Sequence, residues 1–425
     1  MIREELVFIA TCDISGQMRG KAVPASDLAE GATRAVGWTP TNTMITAFGV
    51  IGETPFGALG DVMLVPDLAT EIRVDFEDGG APEHFVLGDL RNADGSPWAC
   101  CPREFLRRGL AALEKVAGLQ LLAGFEQEFV YTALEGPVGN RYSLDAYRRQ
   151  GSFGEVFVGA LREAGLVPDT FLAEFGARQF EATCAPARGV VAADQAVVIR
   201  ELARAAALRL GQQVIFSPIL DPDGVGNGVH IHLSLQDQAG RPVTRDPRRP
   251  YGLTPLAENF VAGLLHHLPA LCAVTAPATI SYIRMTPNRW APTATDVAVQ
   301  DRSASLRVCP VFAAPFGDPE RQFNVEYRPA DAAASPYLAL GVIAHAGCDG
   351  IRKKLTLPAP TDRSAASPLP RSLGQALDSL EATAEAADWF GPVYLDAYLK
   401  HKHSEIRLVE ELPPAEQCRR YALVY

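Results

Sequence analysis

Four short stretches of this chain carry acids, histidines and arginines at alternate positions. That spacing puts side chains on one face of a β-strand. The first is Gly124-Phe125-Glu126-Gln127-Glu128-Phe129-Val130-Tyr131, which continues the apolar run 119–123. Glu126 and Glu128 therefore share a face. Two charged carboxylates side by side in an apolar strand are costly unless paired. Either a cationic group sits against them, or the strand is an exposed edge with two solvated acids. The second stretch runs from Glu174 to Glu181, with two acids bracketing a glycine turn and Gln179–Thr183 alternating like a strand. In the third, Gly226-Asn227-Gly228-Val229-His230-Ile231-His232-Leu233-Ser234, one strand face holds His230, His232 and Ser234 behind a glycine-rich turn. In the fourth, Asn324, Glu326 and Arg328 alternate after Arg321.

Together these strands offer Glu126, Glu128, Glu174, Glu181 and Glu326 with two imidazoles. A carboxylate-rich set suits a hard divalent cation such as Mg²⁺ or Mn²⁺ better than zinc. Arg284, Arg302, Arg307, Arg321 and Arg328 accompany it, and guanidinium matches phosphate and carboxylate oxygens bidentately. Acids beside many arginines point to metal-bridged phosphates plus a carboxylate substrate. No GxxxxGK[ST] loop is present, so a P-loop kinase is excluded.

The 425 residues, 48% hydrophobic and 21% charged, suit an ordinary globular protein of one large or two smaller domains. A net charge of −11 without a basic block argues against a nucleic-acid partner. The eight cysteines lack CxxC or Cys/His zinc spacing and sit among apolar neighbours, as reduced thiols in the cytoplasm do. The opening residues carry charges straight into an apolar strand, with no signal-peptide pattern. The apolar run Phe260–Ile283 contains His266, His267, Pro269 and Pro277, which favours a core helix plus a loop over a membrane span.

Leu6–Thr11 and Gly20–Pro24 flank the turn 13–17 and predict a hairpin. Thr43–Val50, Val62–Pro66 and Phe85–Leu90 read as further strands, and the Gly/Pro-rich 51–61 as a mobile loop. Pro97–Pro102 is the expected boundary between two units. Arg103–Ala117, Val191–Leu210 and Leu338–Ile351 follow as helices, the last opening behind Ser335-Pro336.

The order GFEQEF, EFGARQFE, GNGVHIHLSL, DRSASLR and NVEYRPADAAASPYLALG resembles the glutamine synthetase family over essentially the whole chain. The resemblance implies an α+β fold: an N-terminal β-grasp domain at 1–99 and a catalytic domain at 100–425 with a curved antiparallel sheet flanked by helices. It implies ATP as co-substrate and two or three Mg²⁺ or Mn²⁺ ions per site. Glu128, Glu174 and Glu181 correspond to ligands of the metal on the amino-acid side, and Glu126, His230 and Glu326 to those of the metal at the nucleotide phosphates. His232, Ser234, Arg307 and Arg321 correspond to nucleotide contacts. Arg302 and Arg307 match arginines acting on the transferring phosphoryl group, and Arg284 and Arg328 those on substrate carboxylate oxygens, with Gly226 beside the substrate. A cytoplasmic homo-oligomer of stacked rings, a dodecamer, is implied too, with no membrane partner.

The departures are informative. The family's ammonium-site acid, in a loop ending Glu-Ala-Pro, is replaced by Trp290 in Pro287-Asn288-Arg289-Trp290-Ala291-Pro292, and glycine (Gly49) stands where a second acid should follow Phe48. Glu53 or Asp296 is a candidate substitute. Val225 replaces an asparagine expected to help bind the substrate backbone, and Asn324 an arginine expected near the phosphates. The expected activity is an ATP-dependent ligation of L-glutamate to an organic amine through γ-glutamyl phosphate, with Trp290 lining the amine site. The alternatives are the same chemistry on another carboxylic acid, glutamine synthesis itself, or a non-catalytic member kept for assembly or regulation.

Overall fold

The structure, a computed structural model, describes residues 2–29, 34–132, 141–287, 289–360 and 366–425. Asn288 lies outside the described residues. Two sheets dominate. The first holds β1 (Leu6–Cys12), β2 (Met18–Pro24), β3 (Val36–Trp38), β4 (Val62–Pro66), β5 (Ile72–Val74) and β6 (Glu83–Arg91), in the order β2-β1-β6-β4-β3 with β5 on β6. The predicted hairpin is β1–β2, paired from Leu6↔Pro24 to Cys12↔Met18 around a turn whose Gly16 has φ +72°. A Cβ on Gly16 would also meet the Ala334 carbonyl oxygen at 3.0 Å.

Thr43–Val50 is not a strand. Pro40–Met44 forms a short 3₁₀ helix, and the Thr46 hydroxyl closes a turn on the Val50 carbonyl at 2.8 Å. Local turns satisfy the Ile45, Thr46 and Gly49 amides, and two further backbone groups find partners on a distant helix. Glu405 accepts from Ala47 N at 2.8 Å, and His401 Nε2 lies 3.1 Å from the Ile45 carbonyl. Both side chains come from the helix Pro392–Val409, where a buried Lys402–Glu405 pair at 2.6 Å completes the anchor. Alternating hydrophobicity favoured a strand; buried polar groups on a distant helix decided otherwise.

The second sheet contains β7 (Leu119–Tyr131), β8 (Pro168–Ala173), β9 (Gln179–Cys184), β10 (Ala187–Arg188), β11 (Val214–Ile215), β12 (Val229–Asp237), β13 (Val297–Val299), β14 (Leu306–Val308) and β15 (Val325–Tyr327). Its order is β13-β14-β15-β12-β7-β9-β8, antiparallel except for β13–β14. Phe125, Phe129, Ile231, Leu233, Val325 and Tyr327 fill the core face. The three expected helices are Pro102–Ala117, Val190–Arg209 and Pro336–Lys353. Pro255–Thr275 accounts for the long apolar run, and no helix of the described residues is long and apolar enough to cross a membrane. It crosses Pro336–Lys353 so closely that a Cβ on Gly263 would lie 2.2 Å from the Ala346 carbonyl oxygen.

Arg103, 2% exposed, ties the two sheets' surroundings together. Its guanidinium donates to Asp89 at 3.0 Å, Asp67 at 3.1 Å and Asp194 at 2.9 Å. Tyr337 donates to the same Asp194 at 2.6 Å. Removing the cation leaves the buried Asp194 without its guanidinium and Asp89 to the more exposed Arg107, while Asp67 stays partly open to water. Arg103→Ala should therefore lose about 3–5 kcal/mol of stability, read from urea unfolding; a loss under 1 kcal/mol would show the network is merely a surface pair.

Candidate active site

Strand register assembles the polar face. Glu128 lies opposite Glu181 across β7–β9, and Glu126 opposite His230 across β7–β12. His232 pairs with Glu326 across β12–β15, and Glu326 in turn with Arg307 on β14. Gly124, opposite His232, leaves that position without a side chain. Four antiparallel pairings thus line up residues that are distant in sequence.

Glu126 is the hub. Its carboxylate meets His230 Nδ1 at 2.9 Å and His232 Nε2 at 2.8 Å. Burial alone would raise it, but the two imidazoles outweigh burial and hold the carboxyl well below its usual range. His232 is raised instead: burial works against charge, while the Cys309 thiol and Glu126 overcome it. Its other nitrogen faces Asn324 Oδ1 at 2.8 Å, so the asparagine at the departing position orients the imidazole.

Glu326 is almost fully buried and clamped from both sides. Arg307 donates to one carboxylate oxygen at 2.7 Å and Arg328 to the other. Arg328 also reaches the Trp290 carbonyl at 3.0 Å, which connects the clamp to the loop 287–292. Arg284 packs along Gly226, where a Cβ would meet its Cγ at 2.4 Å, and donates to the Ala330 carbonyl at 2.8 Å. The Nε groups of Arg284, Arg307 and Arg328 are buried without a hydrogen-bond partner. Such spare donors suit an incoming anion.

Glu128 accepts from Gly228 N at 2.8 Å and Gln179 Nε2 at 3.1 Å, yet burial still raises it. Glu174 accepts from Tyr142 OH at 2.8 Å and Phe175 N at 2.9 Å. Glu181 is pushed up to about 9, by burial first and then by Glu126, Glu128 and Glu174. Carboxylate and imidazole atoms of Glu126, His232 and Glu326, and likewise of Glu126, Glu181 and His230, lie within 4.8 Å of one another. This crowding of oxygen donors with imidazole fits a divalent cation.

Other predicted residues stand apart. Ser234 continues the face on β12, opposite Leu122 of β7. Arg302 is exposed on the turn after Asp301, and Arg321 is exposed and 3.6 Å from Asp318. Trp290 has a left-handed backbone (φ +54°), and its ring, 66% exposed, lies 5.7 Å from Phe175. Val225 is exposed as well. Sequence reasoning missed Cys309, Gln179, Tyr142 and Phe175 as neighbours of these groups. Gln179 was findable, since it alternates with Glu181; the others arrive through loops or from an apolar strand end.

With this geometry in place, comparison with known proteins is direct. The profile of the glutamine synthetase catalytic domain matches residues 99–421, and that of the glutamine synthetase N-terminal domain matches 2–98. The chain belongs to the glutamine synthetase family. It is therefore an ATP-dependent ligase of a family that uses divalent metals. It is 32% identical to the γ-glutamylpolyamine synthetase of Streptomyces coelicolor, over 96% of this chain and 90% of that one. A type-1 glutamine synthetase of Dictyostelium discoideum is 27% identical over 97% and 88%. A solved glutamine synthase homologue superposes with TM-score 0.94 at 39% identity, covering 100% of this chain and 99% of the other. A GmaS–ADP complex gives 0.83 at 25% identity, over 96% and 95%.

Glu181 yields a pH test. Its folded-state value, about 9 against an ordinary 4.5, means the folded chain holds a proton that the unfolded chain releases above pH 4.5. Its contribution to stability is thus lost as pH rises from 4.5 to 9. Glu181→Gln should raise the melting temperature of metal-free protein at pH 8, with the gain fading towards pH 5. Mn²⁺ should stabilise the wild type more than this variant. A pH-independent difference would rule out the crowding.

Proposed function

We propose that the protein joins the γ-carboxylate of L-glutamate to an organic amine. ATP transfers its γ-phosphoryl group to a carboxylate oxygen, giving ADP and γ-glutamyl phosphate. The amine nitrogen then attacks the acyl carbon, the C–O bond to phosphate breaks, and the amide forms with loss of a proton and release of inorganic phosphate. The observation that carries this reading is Trp290, an exposed ring at the sequence position where the family resemblance puts the ammonium-site acid, with Gly49 at the position of the second acid. The Streptomyces relative named for polyamines supports an organic amine over ammonia.

In this reading Glu128, Glu174 and Glu181 hold one Mg²⁺ or Mn²⁺, and Glu126, His230 and Glu326 a second, with two or three ions per site. The ions supply positive charge against the phosphate oxygens. Arg302 and Arg307 stabilise the transferring group, which makes positioning and electrostatics the main contributions of the protein. Arg284 and Arg328 bind the glutamate carboxylates, with Gly226 giving Arg284 its path. His232, Ser234, Arg307 and Arg321 contact the nucleotide, a role to which the ADP-bound relative lends support. Glu326 would take its metal in competition with two arginines, so the clamp must loosen or share as ATP arrives. Family membership supports a stacked double ring, a dodecamer. The eight buried free cysteines support a cytoplasmic setting.

The test is ADP release with ATP, Mg²⁺ and L-glutamate, run against ammonia, methylamine, ethanolamine, putrescine and an aromatic amine, with product masses checked. Turnover with an organic amine and little with ammonia is expected; ammonia as the sole substrate, or turnover that ignores glutamate, would overturn the reading. Arg307→Ala should lower kcat on the order of 10²-fold. Trp290→Glu should raise turnover of ammonia relative to methylamine, and an unchanged ratio would remove Trp290 from the amine site.

A further inference from the structure

Beyond the clustered acids, the described residues place an aromatic lip beside Glu174. Phe175 follows Glu174 in the chain, and its ring stands 5.7 Å from that of Trp290 with 33° between planes. The Arg141 guanidinium is seated over the other ring, its Cζ 3.7 Å from the Phe175 centroid. Tyr142, next in sequence and half exposed, reaches Glu174 with its hydroxyl. Aromatic faces beside a carboxylate, with the Trp290 ring open to solvent, are what an alkylammonium group needs. A guanidinium already lies there.

We propose, resting on the organic-amine reading above, that Phe175 and Trp290 form a shelf for the distal ammonium of a diamine or polyamine, and that Arg141 fills this shelf until the substrate cation displaces it. The reacting amine lies by the acids, and its second ammonium lies on the rings. A monoamine has no group to place there and leaves Arg141 stacked. Arg141 is thus a specificity-setting residue: an internal competitor that raises the amine concentration needed. A planar guanidinium stacks well on a ring but is tethered to its own chain, so a long flexible diammonium can replace it when the reacting amine is anchored nearby.

The experiment compares kcat/KM for putrescine and spermidine with that for methylamine in wild type, Phe175→Ala and Arg141→Ala. Phe175→Ala should lower the diamine-to-methylamine ratio roughly tenfold, the scale of one cation–π contact, mainly through KM. Arg141→Ala should raise the same ratio several-fold by lowering KM for the diamines. A direct readout comes from Trp290, the exposed one among four tryptophans, Trp38, Trp98 and Trp389 being buried. Putrescine should protect its fluorescence from acrylamide quenching, and methylamine should not. Ratios unchanged in both variants, or no protection by putrescine, would overturn the shelf while leaving amine ligation standing. Wild type that accepts no organic amine at all would instead bring down the reading on which the shelf rests.

Discussion

The site depends on strand register. Because β7 pairs Glu126 with His230 and Glu128 with Glu181, acids and imidazoles from three strands are crowded onto a surface that burial is already drying. A slip of one residue would turn every one of these side chains into the core and bring Phe125 and Phe129 out. The apolar face therefore fixes the polar one. Hydrophobic burial of Phe129, Ile231 and Tyr327 holds together carboxylates that electrostatics alone would separate.

The repulsion is distributed unevenly, and that unevenness gives the acids different characters. Glu126 stays ionised because two imidazoles meet it, whereas Glu181 has carboxylates for neighbours and keeps a proton. Glu326 is satisfied by arginines before any ligand arrives. One row of chemically similar side chains thus contains an anion held by imidazoles, a neutral acid, and an anion held by arginines. On the proposed role of Glu181 as a metal ligand, stability of the metal-free chain and readiness for metal pull in opposite directions there.

Much of this was legible in the sequence because the site is borne by strands with period two. The alternation of Glu126 with Glu128, of His230 with His232, and of Asn324 with Glu326 and Arg328 names the face before any coordinates are known. The β1–β2 hairpin and the three helices were equally plain from turn residues and apolar spacing. Thr43–Val50 was misread because its backbone partners, Glu405 and His401, lie some 350 residues away and no local pattern announces them. The same limit hid Cys309 beside His232 and Phe175 against Trp290: loop conformation, including a left-handed Trp290, brings them in.

The link from Arg328 to the Trp290 carbonyl has a consequence for how such a protein can change over generations. The donor is a strand-end side chain wedged against Glu326, but the acceptor is main chain and carries no memory of which residue occupies position 290. Loop and catalytic row are fastened together through an atom that every amino acid possesses. Any side chain that tolerates the left-handed backbone there can be exchanged at the lip while its attachment to the sheet persists. On the proposed function, single substitutions at position 290 would alter amine preference and leave the residues of the strand row in place.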